Sequence, residues 1–369
     1  MKKLLAATFV ALLMVGCGEE AQKKVVETEA KDDPSVPAAI PCMACGEKVS
    51  KKTTECRQCG HPTPDSIVAY KEAQERASRL AEAERKRQEE LARIRAEEER
   101  QRLAAKKAER EKQLALYKAA LKKIGEKPFT VPGLSMEMLW CAPGTFTMGS
   151  PANEAGRGSN ETEHNVTLTQ GFWLGKHEVT QNQYEAVMGT HQHAFKGENL
   201  PVTDVSWNDA TSFCKKLTER ERKAGRLPDG WEYALPTEAQ WEYACRAGTK
   251  TAYSFGDAIT KKQATFGRKK TSVGSNAANP WGFFDMHGNV WEWCADWYGT
   301  YPSGSVTDPT GPASGSSRGR SDVGAPRIWR GGSWNNTGPY LRSAEREYSA
   351  PGSCSGSLGF RVGFKFTGQ

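Results

Sequence analysis

Short alternating runs, Gly-punctuated turns and three compact, self-capping helix starts predict an α+β domain over the C-terminal part of this 369-residue chain. The tryptophans mark the same region: all eleven lie between Trp140 and Trp334, and the first 139 residues have none. Composition agrees. Hydrophobic residues are 37% and charged residues 26% of the chain, so a charged, coreless stretch dilutes an ordinary domain. Lys and Arg number 51 against 44 Asp and Glu, a net charge of +7, which excludes a histone-like coat for nucleic acid and an acidic tail protein. The length allows about two to three domains.

Taken in order, Met1-Lys2-Lys3 and the 12-residue apolar run Leu4 to Val15 form the basic and hydrophobic regions of an export signal. The run is too short for a bilayer span of about 20 helical residues. It ends Met14-Val15-Gly16-Cys17, which resembles the bacterial lipobox. Residues 1–17 are therefore expected to be a lipoprotein signal peptide, with a lipidated Cys17 anchoring the chain outside the cytoplasm, to the outer membrane or the periplasmic membrane face. The polar stretch 18–40 reads as a flexible tether.

Cys42-x-x-Cys45 and Cys56-x-x-Cys59 follow, ten residues apart, each pair closing on a glycine (Gly46, Gly60). Two such knuckles supply four soft ligands for tetrahedral zinc, and the spacing resembles a zinc ribbon over residues 41–64. The alternative is two disulfides, since thiols oxidise outside the cytoplasm. Zinc is preferred; either role is structural, because four cysteines leave no open coordination position.

From Asp65 the chain is Ala, Glu, Lys, Arg and Gln without Gly or Pro until Gly125. In Lys71 to Gln113, 25 of 43 residues are charged, 14 basic and 11 acidic, and the large aliphatics are Leu80, Leu91, Ile94 and Leu103. Four residues so placed cannot line a continuous seam. Residues 65–126 are predicted to form a stalk, either a solvated helix laced by i,i+4 ion pairs or a weak alanine-faced coiled coil, reaching roughly 90 Å and open to helix-mediated self-association. Nucleic-acid binding is not expected, because the charges alternate.

Residues 130–368 form the α+β domain. Thr180-x-x-Gln183, Ser206-x-x-Asp209 and Thr237-x-x-Gln240 fit the reciprocal capping box. Phe213, Cys214 and Leu217 make one apolar helix face, and Trp241, Ala244 and Cys245 another, with Gly248 as the stop. In order along the chain, Gly175-Lys176-His177-Glu178-Val179-Thr180, Leu235-Pro236-Thr237-Glu238-Ala239-Gln240-Trp241-Glu242, Gly288-Asn289-Val290-Trp291-Glu292-Trp293, Arg330-Gly331-Gly332-Ser333-Trp334 and Leu358-Gly359-Phe360-Arg361-Val362 resemble the formylglycine-generating enzyme, or sulfatase-modifying factor, family. The resemblance implies an elaborated C-type lectin-like fold with the first and last strands of the domain paired.

Enzymes of that family oxidise a substrate cysteine with oxygen and copper(I), held by two cysteines after the Gly-Gly-Ser-aromatic motif; paired thiolates suit the soft ion. Here Asn336 stands in the first of those positions, and no cysteine lies between Cys294 and Cys354. Copper is not expected. The resemblance also implies a structural calcium held by the Asp285 and Glu292 side chains and the Gly288 and Val290 carbonyls, hard oxygen donors on a tight loop.

Two functions follow. One is a binding protein whose adaptable polar and aromatic loops recognise a protein, peptide or glycan through Trp334, Asn335, Asn336, Tyr340, Arg342 and Arg346. The other is a modifying enzyme of the same family acting on a protein or small molecule without the copper pair, with Arg342 and Arg346 orienting an anionic substrate. The plain role of both arginines is ion pairing with Glu345 or Glu238. Gly315-Ser316-Ser317-Arg318-Gly319 matches a nucleophile elbow only formally, with no strand before it, and His191-x-His193 reads as a surface loop.

Overall fold

A computed structural model describes residues 39–42, 44–50, 53–62, 64–193, 195–314 and 325–368. Cys17, the export signal, most of the tether and the Gly315 to Gly319 segment lie outside the described residues. The chain divides into two compact units, Met1–Gln101 and Arg102–Gln369.

In the first unit, strands β1 (Ala39–Pro41) and β2 (Lys48–Ser50) pair antiparallel. Helix α1 (Pro64–Ile124) begins there. Along this part it is solvated: Lys86 pairs with Glu82 at 2.7 Å and Arg85 with Glu89 at 3.1 Å, one turn apart, and Leu80, Leu91 and Ile94 are exposed. The i,i+4 spacing of opposite charges supports the helix where no core does. No helix among the described residues is long and apolar enough to cross a membrane.

The second unit holds the α+β domain. A five-stranded sheet runs β3 (Phe129–Val131), β4 (Met136–Cys141), β7 (Phe172–Gly175), β14 (Gly363–Phe366), β8 (Trp231–Ala234). A four-stranded sheet runs β12 (Arg346–Ser349), β11 (Arg327–Arg330), β9 (Trp291–Trp297), β13 (Leu358–Gly359), and a three-stranded one β10 (Val306–Thr307), β6 (His164–Leu168), β5 (Gly144–Met148). The first and last strands share a sheet but, against the expectation, do not pair: β3 stands at the edge, and β4 and β14 flank β7, whose Leu174 faces Leu139 on one side and Gly363 on the other.

Helices α2 (Gln181–Met188), α3 (Trp207–Lys223) and α4 (Glu238–Arg246) each carry the full capping box, from Thr180, Ser206 and Thr237. A hydroxyl caps the N3 amide while the N3 side chain caps the N-cap amide, satisfying two otherwise free donors. Helix α3 buries Phe213, Cys214 and Leu217 against a core containing Trp173, Trp231 and Phe360; α4 buries Trp241, Ala244 and Cys245 against a second core with Phe283 and Cys294.

The end of α1 is not stalk. Tyr117 is 2% exposed, its ring lies 6.1 Å from Trp231 and 5.9 Å from Phe366, and its hydroxyl accepts the Gly171 amide at 2.8 Å. Leu114, Leu121 and Ile124 pack beside it. The apolar spacing 114, 117, 121, 124 repeats on one helix face, so the same helix that is solvated early is amphipathic at its end.

Candidate functional site

Strand β11 ends at Arg330, and the next two residues, Gly331 and Gly332, both take left-handed backbone at φ 98° and 73°. A side chain at Gly332 would stand 2.6 Å from the Tyr340 carbonyl oxygen, so only glycine lets the chain reverse here. The turn presents Ser333, Trp334, Asn335 and Asn336. Ser333 is buried, and its hydroxyl donates to Asn335 Oδ1 and Asn336 Oδ1, each at 2.6 Å. Trp334 is half-buried, its indole N–H donating inward to the Gly356 carbonyl at 3.3 Å. Tyr340 is exposed, on the 3-10 turn Gly338–Leu341.

The two arginines expected at this face are elsewhere engaged. Arg342, 1% exposed, donates to Glu154 at 2.7 Å, Glu161 at 2.7 Å and Glu345 at 2.6 Å. Arg346, 3% exposed, grips both oxygens of Glu238 at 2.8 and 2.7 Å. Burial raises the Glu345 carboxyl to about 7, with Glu161 adding to it. Burial acts on Glu161 as well, but Arg342 holds it at about 2. With their donors spent, neither arginine is available to orient a ligand, and ion pairing is their role. His191 and His193 lie on the loop after α2 as expected, both half-buried among exposed neighbours, with His191 Nε2 meeting the Thr203 carbonyl at 3.1 Å and His193 Nε2 meeting Glu185 at 3.1 Å.

Behind the Trp334 turn lies the loop expected to hold calcium. Asp285, Gly288 and Asn289 have φ of 57°, 112° and 63°, and a side chain at Gly288 would meet the Thr265 carbonyl oxygen at 2.5 Å. Glu292 spends both oxygens on Arg361, each at 2.6 Å, and one also accepts the Trp241 indole N–H at 2.7 Å. Asp285 accepts the Gly274 amide at 2.7 Å. A third buried carboxylate joins them: Glu178 accepts from Asn289 at 2.6 Å and from the Val290 amide at 3.0 Å. Burial, then the charges of Asp285 and Glu292, push Glu178 well above the usual carboxylate range; burial raises Asp285 too. The three carboxylates are buried around one guanidinium, and Glu292, both of whose oxygens are taken by Arg361, does not fit the free calcium donor the resemblance implied.

Sequence reasoning missed Glu178 and Arg361. Both stand in motifs quoted for the resemblance, but their meeting requires β9, β13 and the chain before α2 to come together.

In the first unit the cysteine sulfurs converge. Cys42 Sγ lies 3.6 Å from Cys59 Sγ and Cys45 Sγ 3.7 Å from Cys56 Sγ, and all four fall within 4.8 Å of one another. Gly46 and Gly60, at φ 75° and 69°, turn their amides to the Cys42 and Cys56 carbonyls at 2.8 and 2.7 Å. The repeated knuckle and the near-equal sulfur spacing fit a tetrahedral ion such as zinc. The separations are well beyond a disulfide bond of about 2.05 Å. Amides of Cys45 and then Ala44 lower the Cys42 thiol to about 6, while the neighbouring sulfurs push Cys45 up to about 12 and Cys59 is raised as well.

An α+β fold with a glycine-reversed Trp334 turn and a buried carboxylate loop defines a domain of the formylglycine-generating-enzyme type, an elaborated C-type lectin-like fold. The sulfatase-modifying factor enzyme 1-like domain family matches residues 126–364, and the chain belongs to it. Formylglycine-generating enzyme of Streptomyces coelicolor is 37% identical over 186 residues, 44% of this chain and 52% of that one. Serine/threonine-protein kinase pkn1 of Chlamydia caviae is 31% identical over 261 residues, 62% of this chain and 38% of that one. The chain thus spans only 38 to 52% of these relatives' length. The solved structure of Treponema denticola variable protein 1 matches with a TM-score of 0.56 at 28% identity, covering 64% of this chain and 98% of that one.

Proposed function

We propose that this chain is an extracytoplasmic lipoprotein, tethered to a bacterial membrane through Cys17, whose C-terminal domain binds a protein, peptide or glycan and performs no copper-dependent oxidation. The observation that carries this is the Trp334 turn. Where the family's enzymes place a sulfur ligand, Asn336 is held by hydrogen bonds to Ser333, which also holds Asn335 Oδ1, and half-buried Trp334 with exposed Asn335 forms an aromatic and polar surface. A structural calcium held by Asp285 with the Gly288 and Val290 carbonyls, without the Glu292 donor that Arg361 takes, is part of the reading; Asp285→Ala should remove most of a calcium-induced rise in melting temperature.

Peptide and glycan arrays probed with the whole chain test the binding reading. Saturable binding lost on Trp334→Ala at unchanged melting temperature is expected, and binding indifferent to that change contradicts the site. Cys17→Ser should release the protein from the membrane fraction; full retention contradicts the anchor.

One observation favours an enzyme instead. Asp296, raised to about 7 by burial and the charge of Glu238, borders a cavity of about 520 Å³ with His164, Tyr301 and Arg346. A perturbed carboxylate in a cleft suits proton transfer. Turnover of any array ligand that disappears in Asp296→Asn would favour this second reading.

A further inference from the structure

The inference rests on the ligand-binding reading and specifies the ligand. Beside Trp334 opens a cavity of about 240 Å³ lined by Phe195, Lys196, Leu200, Lys269, Lys270 and Trp334. Its walls are fixed from behind. Gln181, buried at the start of α2, donates to the Phe195 carbonyl at 2.7 Å and accepts the Gly197 amide at 3.1 Å. The Trp334 indole N–H is committed to Gly356, so its ring rather than its polar edge is on offer. Lys270 is half-buried, donates to Thr203 Oγ1 at 2.7 Å and stands 5.5 Å over the Phe195 ring. Such a slot is shaped before any ligand arrives.

The lining is of two kinds only. Phe195, Trp334 and Leu200 are apolar, and the remaining three residues are lysines; among the described residues no carboxylate or side-chain amide lines the cavity. Asp204, which accepts from Thr203 at 3.3 Å, and Glu178 are the acids that act on Lys270. Neutral sugar hydroxyls placed against Leu200 and two rings would find few acceptors, and burying them unpaired is costly. An apolar side chain satisfies the slot, and carboxylates on either side of it satisfy the lysines. We propose that the cavity takes one large apolar side chain of an acidic peptide segment, whose flanking carboxylates pair with Lys196, Lys269 and Lys270.

The test is fluorescence anisotropy with the full chain and the fluorescein-labelled peptide Asp-Glu-Phe-Glu-Asp. Comparison probes are its neutral counterpart Asn-Gln-Phe-Gln-Asn, the apolar-deleted Asp-Glu-Gly-Glu-Asp, and a labelled oligogalacturonate. The acidic Phe peptide should bind at least about tenfold tighter than each comparison probe and weaken as salt rises. Lys196→Glu combined with Lys269→Glu, both exposed, should reduce that binding about tenfold or more with the melting temperature unchanged. Equal binding of the neutral peptide, tighter binding of the oligogalacturonate, undiminished binding by the double variant, or no binding of the acidic peptide would each overturn the proposal. The broader reading fails separately: a neutral peptide whose binding is lost in Phe195→Ala leaves a ligand site in place without the charge preference, whereas array binding indifferent to Trp334 removes the site itself.

Discussion

At the scale of single residues, this domain concentrates charge where charge is most expensive. Arg330, Arg342, Arg346 and Arg361 are all within 3% of complete burial, each held by glutamates. Arg342 alone faces Glu154, Glu161 and Glu345. Not every carboxylate finds a full partner. Asp296, near Glu238, Arg346 and Arg327, and Glu345, near Glu161, Arg342 and Glu347, both have folded pKa values of about 7, against about 4 in the unfolded chain. A carboxyl raised in this way binds its proton more tightly folded than unfolded. Its contribution is complete below about pH 4 and is lost as pH rises through about 7. In excess chelator, stability from these two groups should therefore fall between about pH 4 and 7, by roughly 2 kcal/mol or more, and Asp296→Asn should flatten part of the slope. Urea titrations across that range check it; a slope unaffected by the substitution contradicts the assignment. In sequence Arg342 and Arg346 read either as ligand groups or as ion-pair partners of Glu345 or Glu238; both of those pairs form, while Glu161, 181 residues from Arg342, is a partner that nothing local shows.

Among elements, α1 shows how far local pattern can be read. Its first two thirds follow from composition: charges at i,i+4 and no apolar seam leave a solvated helix. The last turns were hidden by the same composition, since Leu114, Tyr117 and Leu121 sit among lysines and gain meaning only when Trp231 and Phe366 come to meet them. Tyr117→Ala should destabilise the C-terminal unit by about 3–4 kcal/mol in urea, whereas Leu91→Ala should change it by less than about 0.5 kcal/mol. Comparable effects of the two would contradict the division of the helix. The capping boxes were legible in full, because a box is settled within four residues; strand order was not, because β7 separates β4 from β14 through pairings that no local window contains. The cysteine knuckles are local and were legible too. The 41–64 module should purify with stoichiometric zinc and unfold on chelation, since binding energy is folding energy in so small a unit. Metal-free sulfurs resistant to alkylation would show disulfides instead.

For the whole molecule, the family fold is kept while no cysteine stands between Cys294 and Cys354. The glycine-reversed turn, the Trp241–Glu292–Arg361 cluster and the carboxylate loop remain as a frame. At the point where that frame would display sulfur, it displays Asn336, tied down by Ser333. The absence of the copper pair could be read directly from the sequence. The lysine and aromatic slot could not, since Phe195, Lys270 and Trp334 are brought together only by the tertiary structure. Binding without copper oxidation is the central claim, and one assay meets it directly. The full chain, supplied with copper(I), oxygen and a cysteine-containing sulfatase peptide, is incubated and the peptide weighed by mass spectrometry. The cysteine is expected to remain unconverted; measurable conversion to the aldehyde would contradict the account.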